Sequence, residues 1–147
     1  MKPLLRYQGD FQWEGVPVGP YKAEGTHFRG VTRQTLLGPD AGLRCELRYF
    51  EIEPNGHSTL ERHDHAHAVV IFRGAGRVLV GAEIFDVRPF DLVRIGPQTW
   101  HQFRSAPGAP LGFFCLVDCA RDRPVQPTRA ELGALRTDSQ IAAFIRT

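Results

Sequence analysis

From Phe28 onward the chain is a succession of short apolar runs separated by turn residues, and only its last twenty residues carry a helical pattern. GVTRQTLL (30–37) stops at Gly38-Pro39-Asp40, LRCELRYFEI (43–52) at Pro54-Asn55-Gly56, and HAVVIF (67–72) at Gly74. GRVLVG (76–81) stops at Gly81, EIFDV (83–87) at Pro89, and DLVRI (91–95) at Gly96-Pro97. WHQFRS (100–105) runs to Pro107-Gly108, and LGFFCLVD (111–118) ends beside Cys119. Eight short strands spaced by about 8–15 residues predict an all-β sandwich or barrel with a core over 26–119. Residues 1–25, rich in aromatics, glycine and proline, read as an arm packed across the body or across a partner subunit. In the tail, 128–146, Thr128 and Glu131 fit a capping box ahead of Leu132 and Leu135, and Asp138 caps a second turn carrying Ile141, Phe144 and Ile145. These apolar positions are expected to seal one end of the barrel. Residues 1–147 thus read as a single domain.

Composition narrows the class. The 147 residues carry a net charge of only +2, and the arginines are scattered, so a solvated outer strand face is expected for them and no nucleic-acid partner. The N-terminus has no apolar signal region, and no window reaches the roughly 18 apolar residues of a membrane span. A cytoplasmic protein that does not engage a membrane is expected. Three cysteines without a Cys-x-x-Cys pattern read as free thiols, with Cys115 and Cys119 of interest if they face a cavity.

The chemistry concentrates in LERHDHAHAVV (60–70), where Glu61, His63, His65 and His67 occupy alternate positions and share one face of an extended chain. The run continues into Val69, Val70, Ile71 and Phe72, so its far end is buried. Clustered neutral imidazoles inside a protein are most simply explained by a metal ion. Alternate strand residues lie about 6.6 Å apart, so a straight strand cannot bring all four to one ion. Either the chain bends here, or two neighbours bind and the remaining ligands come from elsewhere. His101, flanked by Trp100 and Phe103, is the remote candidate. His27 reads as a structural or surface histidine and His57 as exposed. Tyr49, Phe72, Gln102, Phe103 and Phe114 are candidates to line a cavity.

These segments resemble the two motifs of the cupin superfamily. In PNGHSTLERHDHAHAVVIFRGAG, Gly74 matches the closing glycine of the first motif. Counting back places His67 where the family usually has Glu, His63 at the second His of its pair, and Glu61 where the first His usually sits. DLVRIGPQTWHQFRS resembles the second motif, with Pro89, Asp91 and Pro97 in register and His101 at its ligand position. Gln98 replaces a usual glycine and Ser105 a usual asparagine. The resemblance implies a double-stranded β-helix, the jelly-roll barrel of cupins. It implies one divalent transition metal (Fe, Mn, Ni, Co, Cu or Zn) held by Glu61, His63, His67 and His101, with His65 as the lesser alternative. Glu61 is either a ligand or a general base. The function implied is a small metal-dependent enzyme, dioxygenase-like, acting on a small organic molecule in the barrel. A non-catalytic metal- or ligand-binding module or sensor is the alternative. A homodimer is expected.

Overall fold

In the computed structural model, which describes residues 2–147, every run read as a strand is one. Met1, the first residue of the expected arm, lies outside the described residues. The eight are β4 (Arg29–Leu37), β5 (Cys45–His57), β6 (His67–Gly74), β7 (Gly76–Val80), β8 (Glu83–Val87), β9 (Leu92–Ile95), β10 (His101–Ser105) and β11 (Leu111–Asp118). The arm is less irregular than expected. It holds a small hairpin of β1 (Tyr7–Gly9) and β2 (Gln12–Trp13), and β3 (Gly19–Pro20), which adds to β4. The main sheet is antiparallel, runs in the order β8-β7-β10-β5-β11-β6-β9 with β4 beside β5, and curls into a half-barrel.

Alternation along these strands decides the two faces. Phe50, Ile52, Val69, Ile71, Phe113 and Cys115 point inward with Val78, Ile95 and Phe103 to form the main core. The opposite face of β5 and β11 presents Tyr49 and Phe114 to the arm. Phe11 stacks on Tyr49 with centroids 5.7 Å apart, and Trp13 meets Tyr49 and Phe114 at 5.3 and 5.8 Å. The arm therefore packs on its own body. This places Tyr49, Phe72 and Phe114 away from the cavity. Of the five residues expected to line it, only Phe103 does. Gln102 is buried on the other side, donating to the carbonyls of Ser58 and Arg146.

Two expectations about local chemistry change. Pro54-Asn55-Gly56 does not end β5 but makes a bulge within it: β4 advances from Arg29 to Val31 while β5 runs from His57 back to Ile52. Asn55 takes φ of +60°, and Ser105 laces the bulge by donating to the Glu53 carbonyl and accepting from the Gly56 amide at 2.8 Å. The bulge carries β5 on to His57, which pairs with Arg104 of β10 and is half-buried rather than exposed. The scattered arginines are not all on a solvated face either, because Arg48 shares the inward face of Phe50 and Ile52 and is only 8% exposed.

The tail forms α1 (Arg129–Leu135), with the Thr128–Glu131 capping box in place, and α2 (Ser139–Phe144), capped by Asp138. Ile141, Phe144 and Ile145 close over Leu60 and Leu79 as a second apolar cluster, sealing one end of the sheet. No helix among the described residues is long and apolar enough to cross a membrane.

Candidate metal centre

The segment between β5 and β6 supplies the bend that strand geometry requires. Glu61 bridges His101 by reciprocal backbone hydrogen bonds of 3.2 and 3.0 Å, and Arg62 does the same with Val125. The chain then bends at Asp64-His65 before entering β6 at His67. The Asp122 carboxylate pins this bend, accepting from the amides of Asp64 and His65 at 2.8 and 3.1 Å and from His65 Nδ1 at 2.7 Å. Those amide and imidazole donors hold its carboxyl well below the usual carboxylate range. Gln98 supports the bend from the other side. It accepts a left-handed φ of +54°, where the resembling family carries glycine. Its amide donates to the His63 carbonyl at 2.7 Å and its side chain to Asp64 at 2.6 Å.

With the chain bent, His63, His67 and His101 converge, each offering one nitrogen within 4.8 Å of the others. Second partners fix the rings. His63 Nδ1 donates to the His65 carbonyl at 2.7 Å and His101 Nδ1 to the Thr99 carbonyl at 2.9 Å, which leaves Nε2 as the lone-pair nitrogen of each. His67 Nδ1 lies 3.5 Å from Cys115 Sγ. The Nε2 atoms of His63 and His67 are buried without any hydrogen-bond partner. Buried polar atoms are normally satisfied, so two unspent imidazole nitrogens aimed at one point fit a metal ion. Burial is the leading cause that lowers all three pKa values, with neighbouring imidazoles adding to it at His63 and His67. His63 is brought down to about 4 and His67 to about 2. Neutral imidazole is the form that ligates.

The other two candidates sit beside this group and outside it. His65 stacks on His63 at 3.7 Å and spends Nδ1 on Asp122. Glu61 is buried in the same cavity, but its carboxylate takes a hydrogen bond of 2.5 Å from Lys22 of the arm. The structure thus brings three histidines together, with Glu61 paired to a cation alongside them.

A cavity of about 360 Å³ opens from His67 and His101, walled by Val31, Phe50, Phe103 and Phe113. Cys115 faces it, with Arg48 Nη2 3.5 Å from its sulfur, and burial pushes the thiol's pKa up. Lys22, Arg33, Arg48, Arg121 and Arg123 also line it, against Glu61 as its one carboxylate. Lys22, Arg48 and Asp122 were not singled out from the sequence. Arg48 had a signal, since it alternates with Phe50 and Ile52 on what proves to be the inner face. Asp122 and Lys22 had none, because they reach the site from 58 and 39 residues away in the chain.

The cupin domain family matches residues 48–117, from Arg48 of β5 through Val117 of β11. The chain is 49% identical over 145 residues to the 1-methylthio-D-xylulose 5-phosphate methylsulfurylase of Rhodospirillum rubrum, covering 98% of this chain and 92% of that protein. Among solved structures, a cupin 2 conserved barrel domain protein from Rhodopseudomonas palustris superposes with a TM-score of 0.92 at 52% identity, covering 98% of this chain and 99% of that one. A cupin-2 domain from Rhodospirillum rubrum gives 0.87 at 49% identity over 97% and 96% of the two chains. With the curled sheet, the bend and the three converging histidines already in place, these likenesses make the chain a member of the cupin superfamily.

Proposed function

We propose that the chain is a metal-dependent enzyme acting on a small phosphorylated sugar that carries a methylthio group, such as 1-methylthio-D-xylulose 5-phosphate, and that it cleaves the carbon–sulfur bond. The observation that carries this is the 49% identity to a protein of that name across 98% of the chain. It takes the place of the dioxygenase-like expectation, which rested on the breadth of chemistry in the superfamily. The reaction balances with a low-molecular-weight thiol as acceptor: the methylthio sulfur forms a disulfide with it, and the electron pair of the broken bond stays on carbon, which gains a proton.

His63, His67 and His101 would hold the metal through Nε2. A bound divalent cation supplies Lewis-acid polarisation of an oxygen next to the reacting carbon. The chain's own residues account for the rest. Phe50, Phe103, Phe113 and Val31 exclude water and seat the methylthio group. Glu61, held against Lys22 beside His101, is positioned to take or return the proton at carbon.

The test is turnover of synthetic 1-methylthio-D-xylulose 5-phosphate by protein loaded separately with Mn(II), Fe(II), Co(II), Ni(II), Cu(II) or Zn(II), with dithiothreitol present. Appearance of a new C-methyl proton resonance, from the carbon that gains the proton, is the readout. At least one metal should support turnover, His101→Ala should abolish it together with metal binding, and Glu61→Gln should abolish it with metal retained. Stoichiometric metal and ligand binding without consumption under any condition would mean a binding module instead.

A further inference from the structure

We propose that Arg48, together with Arg33 and Arg123 at the cavity mouth, forms a binding subsite for the phosphoryl group of the substrate. This inference rests on the phosphorylated-sugar reading above and assigns residues to it.

Of the five cations lining the cavity, Lys22 is held by Glu61 and Arg121 by Glu46 at 2.8 Å. Arg33, Arg48 and Arg123 make no salt bridge among the described residues. For Arg33 and Arg123, which are exposed, that is unremarkable, since water solvates them. Arg48 differs: it is 8% exposed, and its Nε is buried with no hydrogen-bond partner. Its guanidinium donates through Nη2 to the Cys115 sulfur at 3.5 Å, a weak and uncharged acceptor. The Phe50 ring 5.1 Å from its guanidinium offsets part of the desolvation. A guanidinium taken out of water without a counter-charge is otherwise a cost to folding. Fold formation alone gives no reason for it, because its strand neighbours Phe50 and Ile52 show that an apolar side chain fits this face.

An oxyanion arriving in the cavity supplies the missing partner. The guanidinium fork matches phosphoryl oxygens in two-point geometry. Cross-strand register places Arg48 directly opposite Cys115, whose sulfur touches His67. Arg48 and His67 therefore flank Cys115 on the wall of one cavity of about 360 Å³, large enough for a short sugar phosphate whose phosphoryl group meets Arg48 while its carbon chain reaches the histidines. Arg33 and Arg123 line both this cavity and the adjoining groove beneath residues 17–23, where they draw an anion inward.

The experiment uses the metal-loaded protein and follows inorganic phosphate and D-xylulose 5-phosphate by titration calorimetry, with acetate and unphosphorylated D-xylulose as comparison ligands. Wild type should bind the two phosphates, and Arg48→Met should weaken both by about 10- to 100-fold, the worth of a hydrogen bond to a charged group. Binding of D-xylulose should not change. Arg48→Met should also raise Tm, because it removes a buried unpaired charge, so loss of binding cannot be ascribed to unfolding. Arg48→Lys should recover part of the affinity, and Arg33→Ala or Arg123→Ala should weaken binding less and in a salt-dependent way. Equal phosphate affinity in wild type and Arg48→Met would overturn the proposal. So would acetate bound as tightly as phosphate. Arg48-dependent phosphate binding without turnover of any methylthio sugar would leave this subsite standing and sink the reading of the reaction alone.

Discussion

At His63 and His67 the protein has already met the protonation cost of a metal site. Burial is the leading cause, bringing His63 down to about 4 and His67 to about 2, and it lowers His101 as well. At about 4 and about 2, His63 and His67 are neutral at pH 6, where an ordinary imidazole, with a pKa of about 6.5, is mostly protonated. A divalent ion should therefore displace almost no protons from these residues at pH 6, and its affinity should stay flat from pH 8 to 6. Calorimetry in two buffers of different ionisation enthalpy measures this, and release of about two protons per ion would contradict it. Asp122 acts at the same scale. It is exposed, yet three donors on the Asp64-His65 bend converge on it. Asp122→Ala should keep the far-UV spectrum and lose about 10- to 100-fold in metal affinity, because it frees the bend that aims His63 and His67 at one point. The convergence of His63, His67 and His101 was legible in the sequence, because strand reach demanded a bend and the spacing to Gly74 assigned positions. The residue that holds the bend was not, since nothing local in RDRPV marks Asp122 as reaching back across the fold.

Elements show the same division. All eight strands follow from apolar runs and turn residues, because each run alternates strongly enough to choose a face. The bulge in β5 was not legible: Pro-Asn-Gly is as good a turn as a bulge, and only the pairing of His57 with both Arg29 and Arg104 decides between them. Arg48 and Tyr49 were misplaced for a related reason, since alternation separates two faces without saying which one the arm covers. Gly74 ends β6 with φ of +79°, and a Cβ there would lie 1.7 Å from the Pro110 carbonyl oxygen. Gly74→Ala must both adopt a left-handed backbone and push β11's entry away, at a cost of about 2–4 kcal/mol. Gly81, with φ of +65°, has only Thr99 Cγ2 at 3.8 Å in its path. Gly81→Ala should cost only the backbone strain, about 1–2 kcal/mol. Urea unfolding of the two variants checks the ordering, and equal losses would mean that close packing at Gly74 contributes nothing.

Across the whole molecule, the outer face of the sheet is only partly covered. Register sets Phe114 opposite Val70 and Val70 opposite Leu92, so one apolar strip crosses β11, β6 and the edge strand β9. The arm covers its β5–β11 end through Phe11 and Trp13 and reaches β6 where Phe11 meets Phe72 at 5.9 Å. Beyond it Leu92 is 78% exposed; Phe72, at the arm's edge, remains 40% exposed and Leu116, on the same face, 42%. A contiguous apolar strip ending on an unpaired strand edge is a surface that soluble chains rarely leave open. A second copy of the chain is the occupant that suits it, since a strip lying on one sheet face can meet itself about a two-fold axis. The homodimer expected from the sequence is thus proposed to form here, with each arm on its own body. Light scattering on the purified protein should give twice the 16.5 kDa chain mass. Leu92→Asp, which places a charge on the outer face of the sheet, opposite the face His67 points to, should return the monomer with its metal content intact. A wild-type mass of one chain at micromolar concentration would rule this assembly out, and a dimer that survives Leu92→Asp would move the interface to another face.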